Sequence, residues 1–256
     1  MKPAQIMVLV FLCVPAYRPV QASAVESYRY TETIGGVKKD IRWCVDKSEP
    51  IRLLYQSKEE MHITRTDDSF ATVQWDMKNE AEGTSIQARR EPHAIIIRGQ
   101  WEGGRFTKEL SVDDAPWYQA TSWSLRAFVL SSLKEIRFWT VRTDTLTAHK
   151  ITAVKKKRRI LNLNGANEEA VEVELRLGGL LSVFWKSNYW FRRTDGVFLR
   201  FEGPSGPPGA PDVIVEYQGP APPCEMSALG TPSGIPLNHS ESRQQMISDM
   251  SILHLK

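Results

Sequence analysis

"SNYWFRRTDGVFLRFEG", residues 187–203, is the stretch on which the fold turns. Two aromatic-rich runs flank Thr194-Asp195-Gly196, which has the composition of a hairpin turn. A two-residue Asp195-Gly196 loop would pair Thr194 with Val197 and mix apolar and charged residues on both faces. A three-residue loop pairs Arg193 with Val197 and puts Gly196 in the left-handed conformation of a bulge. Tyr189, Phe191, Val197, Leu199 and Phe201 then share one face, and Trp190, Arg192, Phe198, Arg200 and Glu202 the other. A one-residue slip moves every side chain across the sheet, so the sorted register is the expected one. On its second face Arg192 meets Phe198 and Trp190 meets Arg200, cross-strand cation–π pairs of about 0.5–1 kcal/mol each.

Outward from the hairpin the chain reads as short strands between turn signals. Eight are expected from Ser27–Ile34 to Arg105–Leu110, and seven more from Glu135–Arg142 to Val213–Tyr217, among them Thr147–Val154 and Leu181–Trp185. Gly35-Gly36, Gly103-Gly104, Gly178-Gly179 and Asp195-Gly196 punctuate them. Regular short strands of this kind argue a mainly β protein, a curved antiparallel meander or incomplete barrel. One helix interrupts, Ser122–Leu133, with Leu125, Phe128, Val129 and Leu133 on one face and Thr121 or Ser122 to cap its start. Its stripe needs a cover, and the concave face of the sheet is the natural one. "AVEVELRL" (170–177) alternates strictly, as a half-buried strand does. In "RFWTVR" (137–142) Phe138 faces away from Trp139 and Val141, so that strand has apolar material on both sides.

Residues 1–24 read as a leader. A basic start at Lys2, the apolar run Ile6–Val14 and the small residues Ala22-Ser23-Ala24 fit a signal peptide cleaved after Ala24. Leu12 is too bulky before Cys13 for a lipid-anchor signal. Removing the leader takes Lys2 and Arg18 with it and lowers the formal charge from +3 to +1. A near-neutral exported chain has no general pull toward nucleic acid, and no later apolar run is long enough to span a bilayer. The expected product is a soluble periplasmic protein with one domain over residues 25–217 and a disordered Pro/Gly/Ser-rich tail over 218–256. Cys44 and Cys224 could pair in that compartment, but "PAPPCEM" around Cys224 reads as mobile, so two separate thiols are expected.

From Ser122 to Tyr217 the order is helix, "IRFWTVRTDTLTAHKITAV", "VEVELRL", "YWFRRTDGVFLRFEG" and "DVIVEY". This layout resembles the superfamily of bacterial periplasmic lipoprotein carriers of the Lol system (LolA/LolB-like) and the uncharacterised exported families that share their fold. The match is nearer to the uncharacterised families, and the first half of the mature chain matches only as generic strands. The resemblance implies an incomplete antiparallel barrel with helical cover, and a lean toward binding an apolar ligand or an envelope partner.

The five histidines show no metal spacing, no serine sits in a nucleophile elbow, and the acidic pairs Asp67-Asp68 and Asp113-Asp114 fall in turns. No catalytic residue, metal or cofactor is expected. The function expected is a non-enzymatic binder holding a lipid or other apolar group in a cup between sheet and helix. The candidate lining is Leu125, Phe128, Val129, Phe138, Phe191, Leu199 and Phe201. Lys155, Lys156, Lys157, Arg158 and Arg159 are the candidate contact for an anionic group, against the plainer reading of a solvated strand end. An envelope assembly protein without a small ligand and an unrecognised hydrolase are the alternatives.

Overall fold

Tight turns build the sheet hairpin by hairpin. Gly35 and Gly36, with φ of 54° and 84°, make a two-residue loop that pairs Ile34 with Val37. The computed structural model describes residues 25–48, 50–178, 185–204 and 210–224. The first strands are β1 Val25–Ile34, β2 Val37–Asp46, β3 Ile51–Gln56, β4 Glu60–Thr66, β5 Thr72–Asn79, β6 Thr84–Glu91, β7 Ala94–Trp101 and β8 Gly104–Ser111. After the helix α1, Thr121–Leu130, come β9 Glu135–Val141, β10 Ala148–Leu163, β11 Ala166–Leu177, β12 Lys186–Arg192, β13 Phe198–Pro204 and β14 Asp212–Pro220. Strands pair antiparallel with their chain neighbours except that β8 and β9 do not meet and β1 pairs with β14. The result is one 14-stranded sheet, not closed into a barrel, whose edges are β8 and β9. The expected strand Leu181–Trp185 lies outside the described residues apart from Trp185, as do the leader and residues 225–256.

The segment between β8 and α1 ties the sheet together. Trp139 N donates to Pro116 O at 2.7 Å and Tyr118 N donates to Trp139 O at 2.8 Å, so Pro116–Tyr118 runs along the edge of β9. On its other side Thr72 N donates to Trp117 O at 2.7 Å, and Thr72 Oγ1 accepts from Gln119 N at 3.0 Å. This strap carries β9's edge to the start of β5. It also delivers the chain into α1, whose Leu125, Phe128 and Val129 are buried in one cluster with Phe138, Phe191, Ile151 and Ala153 of β10, and Val173 and Leu175 of β11.

A second core forms where β5–β7 face β9, around Trp75, Ile95, Ile97, Trp117 and Val141. The two sides of β9 therefore meet two cores, Phe138 in the first and Val141 in the second, as its pattern predicts. The alternation in β11 also holds. Val173 and Leu175 are buried in the first core, while Glu172 and Glu174 pair with Arg159 and Lys156.

Three expectations are corrected. The helix stops at Leu130, and its start has no side-chain cap: Thr121 Oγ1 donates back to Tyr118 O at 3.2 Å. Cys44 and Cys224 are both disulfide-bonded. The chain before Cys224 is tied down rather than loose, because Ala221 N donates to Ser27 O, and Arg42 donates to the carbonyls of Pro222 and Pro223. The hairpin register differs near its turn. Tyr189 faces Phe201 and Trp190 faces Arg200 as expected, but a bulge then pairs Phe191 with Phe198. Arg192 and Val197 flank a four-residue loop, with Arg192 N donating to Val197 O at 2.7 Å and Gly196 N to Arg192 O at 2.8 Å. Arg192 consequently lies over Tyr217, at 5.3 Å, and not over Phe198.

The bulge has a cause on the outer face. The far end of the long β10–β11 hairpin reaches β14, where Asn164 Nδ2 donates to Tyr217 O. Leu163 thereby joins Ala170, Trp190 and Leu199 in a separate buried cluster. With both faces of the hairpin covered, the bulge lets Phe198 turn inward while Leu199 turns outward.

Gly196 holds this turn against the helix. Its φ is +70°, and a Cβ there would lie 2.7 Å from Arg126 Cγ. Gly196→Ala is expected to lower unfolding stability by about 2 kcal/mol, read as a urea midpoint shift at constant m-value. A neutral result would show that helix and turn are not packed as described.

Candidate functional site

The Gly35-Gly36 turn sets the register that brings rings together. Counting back from Ile34–Val37 places Tyr28 opposite Trp43, and the next two pairings put Trp43 beside Tyr55 and Tyr55 beside His62. Centroid separations are 5.3 Å for Trp43–Tyr55 and 5.1 Å for Tyr55–His62, both edge-on, the geometry ring quadrupoles favour. From the other side β12 and β13 contribute Tyr189, Phe198 and Phe201, with Tyr189 and Phe201 4.8 Å apart.

Between these two walls is a cleft of about 390 Å³. Its rings are Trp43, Tyr55, Tyr189, Phe198 and Phe201, and the start of α1, Gln119–Ser122, also lines it. Ile34, Ile41, Val213 and Val215 complete the apolar lining. Glu32 stands with them, 3.4 Å from Lys39, which also approaches Glu59 at 3.8 Å. Burial pushes the Tyr55 phenol up, and the nearby carboxylates Glu32, Glu60 and Glu59 push it further. Glu60 is held below the usual carboxylate range, chiefly by its hydrogen bond with His62 at 3.3 Å.

The opposite end of β1 is closed by ions. Glu32 lies six positions after Glu26, roughly 20 Å along the strand. Glu26 Oε2 accepts from Arg126 Nη1 at 2.7 Å and from the Tyr28 hydroxyl at 3.1 Å, and Glu26 also pairs with Lys47. Arg126 Nε donates to Asp195 O at 2.7 Å, so one guanidinium ties helix, first strand and aromatic hairpin together.

The residues expected to line a cup fall into three groups. Leu125, Phe128, Val129, Phe138 and Phe191 are packed in the first core and do not line the cleft. Leu199 is in the outer cluster with Trp190. Phe201 lines the cleft. The basic run is not a strand end, because β10 continues through it to Leu163. Lys155 donates to Ser131 O at 2.6 Å and lies over Phe128, Lys156 and Arg159 pair with Glu174 and Glu172, and Lys157 and Arg158 are exposed. Trp43, Tyr55, Tyr189, Phe198 and Glu32 were absent from the expected set. The turn count across Gly35-Gly36 is the signal that could have found the first wall. Among the described residues no group of His, Cys, Asp and Glu could hold a metal ion, and no helix is long and apolar enough to cross a membrane.

Fold and site together define a class: an open, curled antiparallel sheet wrapped on one helix, with an aromatic cleft. The chain is similar in fold to a crystallised β-barrel-like protein of the domain of unknown function DUF1849 from Brucella abortus. The TM-score is 0.51 at 9% identity, over 77% of this chain and 97% of that one. The hypothetical lipoprotein YmcC from Escherichia coli aligns with a TM-score of 0.41 at 9% identity, over 77% of this chain and 88% of that one. A DUF1329 protein from Desulfovibrio piger gives 0.26 at 7%, over 77% and 85%. No protein-family model and no curated protein matches the sequence.

The Glu26 cluster makes stability acid-sensitive. Burial alone would raise its pKa, but hydrogen bonds and charge from Lys47 and Arg126 outweigh that and hold it below the ordinary value. A carboxylate depressed in the folded state contributes fully above its unfolded pKa, about 4.3, and loses that contribution as pH falls through the folded value. Urea midpoints measured between pH 6 and pH 3 should fall less steeply for Glu26→Gln than for the wild type. Parallel slopes would remove Glu26 from the acid response.

Proposed function

We propose that the chain is an exported, non-enzymatic binding protein of the Lol-carrier-like kind that holds an apolar group in the cleft between β2–β3 and β12–β13. The observation that carries this reading is the pair of ring walls around an opening of about 390 Å³, the size range and lining of small-ligand sites. Trp43, Tyr55, Tyr189 and Phe201 are only partly buried, and a ligand that covers their remaining apolar surface removes it from water. The packed core beneath gives the walls a rigid base. Among the described residues the polar groups of the lining are Glu32, Gln119, Thr121, Ser122 and the hydroxyls of Tyr55 and Tyr189, suited to orienting a ligand. Export is supported by the leader-like first 24 residues and by two disulfide-bonded cysteines, which belong to an oxidising compartment.

Two measurements test it. The processed protein should begin at Val25 by intact mass, and a retained leader or an acylated Cys13 would overturn export. N-phenyl-1-naphthylamine, a neutral apolar fluorophore, should bind the folded protein and brighten. Phe201→Asp puts an unpaired charge in the cleft and should weaken that binding by about tenfold or more, while Lys156→Ala leaves it unchanged. A folded wild type that does not bind the fluorophore would defeat the binding reading.

A further inference from the structure

Resting on that reading, we infer that the ligand's polar end is a cation: the cleft is built for an amphiphile carrying an amine or quaternary ammonium group. The first ground is composition. Among the described residues lining the cleft, Glu32 is the one that is charged at neutral pH, and Lys, Arg and His contribute none. Glu32 and Ile34 also line an adjoining depression at the tip of the β1–β2 hairpin, where Lys38, Lys39 and Lys58 are matched by Glu32, Asp40 and Glu59.

The second ground is the count of charges at the lip. Lys39 sits 3.4 Å from Glu32 and 3.8 Å from Glu59, so one ammonium is divided between two carboxylates. A ligand cation arriving at Glu32 can leave Lys39 with Glu59, and no buried charge is stranded. A ligand anion in the cleft would meet the Glu32 carboxylate, and the base nearest it, Lys39, is already shared between two carboxylates.

The third ground is the rings. Trp43, Tyr55, Tyr189, Phe198 and Phe201 surround the opening, and aromatic faces attract cations, quaternary ammonium groups above all. The same walls reject the hydration shell of a carboxylate or sulfate. The Tyr55 phenol in this wall is pushed up first by burial and then by the nearby carboxylates Glu32, Glu60 and Glu59, which gather on this side of the cleft.

The test is displacement of N-phenyl-1-naphthylamine from the full processed chain by three twelve-carbon amphiphiles below their micelle concentrations. They are dodecyltrimethylammonium, tetraethylene glycol monododecyl ether and laurate. The cation should bind about tenfold more tightly than the neutral ether, and laurate most weakly. Glu32→Gln should bring the cation down to the level of the ether and leave the ether unchanged, which also certifies the variant's fold. Lys39→Ala, which frees Glu32, should tighten the cation and not the ether, and it decides the matter if Glu32→Gln misfolds. Equal affinities in the wild type, or laurate binding best, would overturn the inference and leave the binding reading standing. Failure of all three amphiphiles to displace a bound fluorophore would place the fluorophore elsewhere and overturn the inference.

Discussion

The two hydrogen bonds that Trp139 makes with Pro116 and Tyr118, together with the bond from Thr72 to Trp117, are the constraint on which the architecture rests. A sheet of fourteen strands with its first and last strands in the middle leaves its two edges, β8 and β9, far apart in the hydrogen-bond order. Unpaired edges are sticky and cost the backbone its partners. The strap satisfies the β9 edge and fastens it to β5 without closing the barrel. Gln119 strengthens the join, giving its amide to Val141 O and accepting from Val141 N and from Trp117 Nε1. The other edge, β8, is guarded by charge, with Arg105, Lys108 and Glu109 on it.

Because α1 begins two residues after the strap, its position follows from the strap's. The helix is short and weakly amphipathic, starts without a side-chain cap, and is held by tertiary contact. Leu125, Phe128 and Val129 bury one side, Arg126 anchors the other to Glu26 and Asp195, and the residues at its start border the cleft. The core beneath the cleft and the helix start that borders it thus depend on one ten-residue element being lodged at one depth in the curl.

How far the hairpin 187–203 could be read in advance shows where pattern reasoning stops. The outer pairs Tyr189–Phe201 and Trp190–Arg200 follow from alternation. Nearer the turn both faces are apolar, and alternation no longer ranks the registers. The bulge that sends Phe198 inward and Leu199 outward is chosen by the β10–β11 hairpin lying over the outer face. That hairpin is long because β10 continues through Lys155–Arg159, where Glu172 and Glu174 across the pair partly neutralise the run. The aromatic cleft suffers the same limit. Its first wall is countable from Gly35-Gly36, but its second comes from strands some 150 residues later in the chain.

By itself the sequence determined what is local: strand after strand from period-two patterns and glycine turns, the single helix, the two-sided character of β9 and the half-buried alternation of β11. Those features need only nearest neighbours in the chain, and their physics is contained in a dozen residues. Tertiary structure alone decided that β1 pairs with β14, that the strap joins β9 to β5, and that Cys44 and Cys224 are disulfide-bonded. It also decided that Phe128, Phe138 and Phe191 are filled core while Trp43, Tyr55 and Phe201 border an opening. An apolar side chain carries the same signal whether it meets another side chain or a ligand. Only the packing of distant strands fixes which rings are covered by protein and which are left to be covered by something else.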